Sequence, residues 1–511
     1  MDLFIKLSML VIFFGITIGI GLYCKKHATN VDGFVLGGRS VGPWLTAFAY
    51  GTSYFSAVVF VGYAGQFGWK YGIAATWVGI GNAIIGSLAA WALLGRRTRI
   101  MTQHLGSATM PQFFEKRFDS KALKLAASAI IFIFLIPYTA SLYNGLSRLF
   151  GMAFDIDYTV CVIVMAIITA AYVILGGYMA TAINDFVQGI IMIVGIIAVI
   201  CAVLNGQGGL GQAYAGLGQV IDPAVSDTPG AFNSLFGPDP TNLWGVVVLT
   251  SLGTWGLPQM VQKFYAIKNE KAISKGLIIS TLFALIVAGG CYFLGGFGRL
   301  FADRVDVTTE GYDAIIPAML SDLSPVLIAV VVVLVLSASM STLSSLVLTS
   351  SSTLTLDFIK GNLAKKMSDK KQLLTIRLLI VVFIFISVVL ALIQYKSSVT
   401  FIAQLMGISW GTLAGAFLAP FLFGLYWKKT TKAGVWTSFL FSVVVMLCNI
   451  LFPQYFPALL RSPINAGAFC MLAGLILVPA VSLFTKKTDA AHIRQVFSCY
   501  DSTENTKEEN Q

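Results

Sequence analysis

The chain alternates between long apolar runs and short polar breaks. About thirteen of these runs approach the roughly 20 residues needed to cross about 30 Å of hydrocarbon as a helix. They fall near 3–24, 41–68, 73–95, 122–150, 158–176, 181–204, 242–262, 275–299, 324–356, 375–395, 398–426, 433–452 and 464–485. The pattern predicts an all-α integral membrane protein. The first run has no basic stretch before it and no small-x-small cleavage site after it, so it is expected to be a retained helix. The 324–356 run is too long for one straight, fully buried span.

Two spans carry helix-breaking residues in their middles. The second contains Ala49-Tyr50-Gly51-Thr52-Ser53-Tyr54-Phe55-Ser56, and the seventh contains Leu252-Gly253-Thr254-Trp255-Gly256-Leu257-Pro258-Gln259. Gly and Pro release backbone carbonyls and amides from helical pairing, which lipid tolerates only where they line a site. Broken helices about five spans apart predict an inverted-repeat transporter with its solute near the midplane.

Charge fixes the expected orientation. With the N-terminus outside and the C-terminus cytoplasmic, 27 of the 34 Lys and Arg residues fall on the inner side, including the loop opening at Lys263. The same rule accounts for the net charge of +11, so nucleic acid is not an expected partner. The lipid bilayer is. Seven isolated Cys and three scattered His form no disulfide or metal pattern. No organic cofactor, catalytic residue or obligatory protein partner is expected. The 205–241 loop carries Asp222, Asp227 and Asp239 without Lys or Arg, and the polar tail after Lys487 is expected to be disordered.

Against this background Asp185 stands out as a carboxylate between apolar runs, a functional candidate by default. So does Ser337-Ala338-Ser339-Met340-Ser341-Thr342-Leu343-Ser344-Ser345, in which positions 338, 341, 342 and 345 share one helix face. Its hydroxyls and carbonyls are hard oxygen donors suited to a monovalent cation. Without formal charge they would bind sodium weakly enough to release it.

Three motifs resemble the sodium:solute symporters, the family of the bacterial proline, pantothenate, sialic-acid and galactose transporters. They are Gly37-Gly38-Arg39-Ser40-Val41-Gly42-Pro43, Gly176-Gly177 through Gln188, and Ala338 to Ser345. The resemblance implies a LeuT-like 5+5 inverted-repeat core. A first helix and inner loop (1–40) precede repeats at 41–204 and 242–426, which the 205–241 outer loop separates. Two additional helices (427–487) and a cytoplasmic tail (488–511) follow. It further implies a main sodium site at Thr52, Phe55, Ala338, Ser341 and Thr342. A second site, found in some members, would use Asp185, Ser341, Ser344 and Ser345, giving one or two sodium ions per cycle.

The solute is less constrained. Positions that are aromatic in the proline transporters are Thr250 and Thr254 here. The galactose transporters' glutamate in the 73–95 span and the sialic-acid transporters' arginine near Tyr138 are both missing. A small amino acid such as proline, or a carboxylate such as pantothenate, remains. Ser53 and Ser56 would face its anionic group, Tyr54, Tyr138 and Trp255 its apolar part, and Thr254 and Gln259 complete the candidate pocket, with Gln66 and Gln404 as further polar groups. Sodium-coupled symport is therefore expected. Proton coupling and a passive facilitator or channel are the alternatives.

Overall fold

The computed structural model describes residues 2–53, 55–154, 157–397 and 402–508. Ten helical stretches among them are long and apolar enough to cross a membrane. Two of these, Val58–His104 and Tyr158–Gly206, each hold two crossings, and the 240–266 broken helix adds another, which brings the count to thirteen. No strand forms among the described residues; Val41 and Ile267 meet in an isolated bridge.

Polar and apolar surfaces are arranged inside out relative to a soluble protein. Peripheral helices expose Ile12, Ile167, Val194, Leu378, Phe385 and Ile476, faces suited to lipid. At the centre stands Pro325–Thr353, in which every residue from Val331 to Thr353 is buried. A helix hidden on all sides has no polar face to show, and its eleven Ser and Thr side chains from Ser337 on therefore look inward. The chain continues past Thr353 as a π-helical segment, Leu354–Leu363. This resolves the excess length of that run.

Both expected breaks are present. The first helix ends at Thr52 and resumes with π-wound Val58–Tyr63 and then Ala64–Tyr71. The second runs Pro240–Gly256, turns extended at Leu257 (φ −77°, ψ 123°) and resumes as Pro258–Ala266. Pro258 supplies no amide, and a Cβ at Gly256 would lie 2.8 Å from Ala414 Cα, so the break packs against the Ile402–Tyr426 helix.

The two glycine motifs are conformational. Gly37, Gly38 and Arg39 are successively left-handed, and Arg39 donates to the Ser107 and Tyr265 carbonyls. Gly177 (φ 55°, ψ −151°) makes the reversal between the fifth and sixth crossings, in a region only glycine adopts readily.

Several expectations need correction. The tail is not disordered over its length: Ala490–Glu508 is helical, and Ile493, Val496, Phe497 and Tyr500 form one apolar stripe on it. Tyr500 donates to the Arg97 carbonyl, and His104 pairs with the Gln495 carbonyl. That i, i+3, i+4, i+7 spacing was present in the sequence but masked by the polar composition. The 205–241 segment, whose composition left an ordered cap and a flexible loop equally open, is ordered, with a helix at Leu210–Gln219 and Asp222 paired to Arg299 at 2.6 Å. Asp185 is also not the one buried carboxylate. Asp357 is fully buried, accepting from Thr109 at 2.6 Å and Gln112 at 2.8 Å.

Candidate cation and solute site

The first helix break and the hydroxyl-rich helix meet at Thr342. Its Oγ1 lies 3.2 Å from the Thr52 carbonyl, 3.2 Å from Phe55 and 3.1 Å from Ala338. A hydroxyl has one proton, so it satisfies one of the three carbonyls at a time. Two from the broken helix and one from the central helix thus focus negative potential on one point. Ser341 Oγ, one residue away, is buried and makes no hydrogen bond. Four of the five residues assigned to the main site by resemblance are thereby in mutual contact, and the donor chemistry fits a hard cation.

A second constellation lies beside it. Ser53 and Ser345 hydroxyls are 2.9 Å apart, and Lys263 Nζ donates to Ser345 Oγ at 3.0 Å. The Lys263 ammonium also stands 3.9 Å from Asp185 Oδ2 and 5.1 Å from the centre of the Tyr178 ring. Both Asp185 oxygens are buried without a hydrogen bond. Ser344 donates to the Ser341 carbonyl at 2.9 Å. Tyr172 donates to the Met340 carbonyl at 2.6 Å, tying the Asp185 hairpin to the central helix.

Lys263 corrects the charge count: it is not a loop cation but a core residue, its side chain 3% exposed. Counting bases per loop hid it, yet its setting was legible. It follows Pro258 by five residues and is flanked by Met260, Val261, Phe264 and Tyr265. The rule that selects Asp185 selects it as well.

Among the solute candidates, Ser56 Oγ, Tyr138 OH and both amide atoms of Gln259 are buried without a hydrogen-bond partner. Such groups are costly unless something polar meets them. Ser56 and Gln259 flank the two breaks, and Tyr138 packs edge-on against Trp410 with ring centres 5.9 Å apart. Trp410 went unselected because an aromatic inside an apolar span leaves no polar signal. Thr254 and Trp255 are turned elsewhere: Thr254 donates to the Gly86 carbonyl at 2.8 Å and Trp255 to Ile85 at 2.9 Å. Ser53 belongs with Ser345 rather than with Ser56. Tyr54 lies outside the described residues. Gln66 and Gln404 line an open cavity of about 970 Å³ at the end of the bundle away from most Lys and Arg, beside Asp222 and Tyr312.

Known proteins resemble this chain in sequence and in fold. The model of the sodium:solute symporter family matches residues 34–441. A sodium/proline symporter of Staphylococcus aureus strain JH9 is 31% identical over 458 residues, covering 86% of this chain and 84% of that protein. Among solved structures, a Na+-coupled sialic acid symporter in a substrate-bound outward-open state superposes with a TM-score of 0.73 at 16% identity, covering 95% of this chain and 99% of that one. Mhp1, a nucleobase-cation-symport-1 family transporter, gives 0.51 at 13% identity over 90% of this chain and 97% of its own. The fold is thus the LeuT-like fold of sodium-coupled symporters.

Proposed function

The chain belongs to the sodium:solute symporter family, and from that premise we propose that it imports a small zwitterionic amino acid together with sodium, proline being the first to test. The observation that carries the coupling is the Thr342 hydroxyl shared by the carbonyls of Thr52, Phe55 and Ala338. Sodium would be held by these oxygens with Ser341, drawing the first broken helix onto the central helix. Because every ligand is neutral, binding is weak enough for release.

The solute would sit between the two breaks, with Ser56 and free backbone amides meeting its carboxylate. Gln259 and Tyr138 would supply further hydrogen bonds, and Trp410 an apolar wall. Support for an amino acid comes from the sodium/proline relative. The two five-helix repeats, 41–204 and 242–426, would rock about this site. Solute would enter from the cavity lined by Gln66 and Gln404 and leave toward the lysine-rich end; the same charge bias supports an N-terminus outside. One charge moving inward through 100 mV releases about 2.3 kcal/mol, and the sodium concentration gradient adds to it.

Thermal unfolding of the purified protein with L-proline, other amino acids and pantothenate, each with sodium or choline, tests the solute assignment. A ligand that binds the native state raises the midpoint by mass action. The expected result is stabilisation by proline only when sodium is present. Stabilisation by pantothenate alone would reassign the solute, and stabilisation indifferent to sodium would favour the proton-coupled or passive alternatives.

A further inference from the structure

The Lys263 ammonium occupies the ground that the family resemblance gives to a second sodium ion. It reaches the core from the second half of a broken helix, where an unpaired charge is too costly to persist. Its contacts are those a bound cation would take: the Ser345 hydroxyl at 3.0 Å, the Asp185 carboxylate at 3.9 Å and the face of Tyr178 at 5.1 Å. Asp185 makes no hydrogen bond, so the charge facing it is the ammonium. Of the three hydroxyls in the second set, Ser345 is engaged by Lys263 and Ser53, Ser344 by the Ser341 carbonyl, and Ser341, shared with the main site, makes no hydrogen bond.

We propose that Lys263 is a resident cation in the second cation position, so that the protein binds and carries one sodium ion per cycle at the Thr342 site. Carboxylate and ammonium together are neutral. A sodium ion added there would leave a buried net positive charge, with two cations sharing one carboxylate, which a low-dielectric interior disfavours. At the main site the partners of Thr342 are three uncharged carbonyls, and among the described residues no ammonium is paired with them. The chain's own lysine does permanently what a second ion does reversibly: it screens Asp185 and ties the second broken helix to the central helix through Ser345. This rests on the sodium-symport reading above.

The test is a count of bound sodium on purified full-length protein, titrated with radioactive sodium and no added solute. The native chain is expected to bind one ion with a Hill slope of one. Lys263→Met, which unmasks Asp185, is expected to bind two. Lys263→Met/Asp185→Asn removes both charges, which keeps the core neutral and guards against misfolding, and is expected to return to one. Two ions on the native chain, or one on folded Lys263→Met, overturn the resident-cation proposal alone. No sodium on the native chain overturns the symport reading and this proposal with it.

Discussion

Thr342 Oγ1 lies 3.2 Å from the carbonyl oxygen of Phe55, across 287 residues of sequence, and so joins the central helix to the first helix break. The Phe55 carbonyl is free for this contact because the broken helix supplies it with no partner of its own. In the proposed cycle, cation binding here and the closing of the two halves on each other would be one event.

Replacing that hydroxyl tests the link. Thr342→Val keeps the shape but removes an oxygen ligand. Hydrogen-bond-like contacts to a charge contribute about 1.5–3 kcal/mol. Half-saturation by sodium, read from thermal stabilisation, is expected to rise roughly 10- to 100-fold. Thr342→Ser is expected to stay within a few-fold of native.

The Asp185–Lys263 pair gives an asymmetric prediction. Breaking a buried pair by removing one partner costs about 3–5 kcal/mol, because the other charge is left unmatched. Asp185→Asn and Lys263→Met are each expected to lower the unfolding midpoint strongly. Lys263→Met/Asp185→Asn is expected to lower it much less than either single change. A double variant as unstable as the sum of the singles would contradict direct pairing.

Gly177 offers a backbone test. Its φ and ψ are open to glycine almost alone, and an added Cβ would also come 2.8 Å from Phe34. Gly177→Ala is expected to cost about 1–3 kcal/mol from strain, before any clash. Thermal unfolding checks it, with Gly15→Ala, which meets nothing within 4 Å, as the control.

At the end away from most lysines, a hydrogen bond from Arg299 holds the Asp222 carboxyl below its usual range. A depressed carboxylate pKa contributes stability that is present above the unfolded value near 4 and is lost as pH falls through the folded value. Protection of 210–236 from hydrogen exchange, measured relative to the intrinsic rate at each pH, is expected to be high at neutral pH and to fall below about pH 4. In Arg299→Gln that pH step is expected to vanish.

The spans, both breaks, Asp185 and the 337–345 hydroxyl face were legible in the sequence because each violates the apolar period locally: glycine and proline mid-span, hydroxyls on one face, one acid among hydrocarbons. The grouping of Thr342 with Thr52 and Phe55 came only from the family resemblance. Lys263 was hidden by the assumption that a base near a span end belongs to a loop. Trp410 was hidden because tryptophan is at home in a span. The docked tail helix was hidden because four apolar residues are diluted by its polar ones. Which way Thr254 and Trp255 turn depends on the neighbouring 82–89 crossing, and one-dimensional spacing does not hold that information.

Coupling is the central claim, and its most direct test is uptake of labelled proline into proteoliposomes with the membrane potential clamped. An inward sodium gradient is expected to drive accumulation above the external concentration, and the accumulation is expected to collapse when choline replaces sodium or when Thr342 is changed to Val. Accumulation driven by an inward proton gradient without sodium, or equal uptake in sodium and choline, would contradict the account.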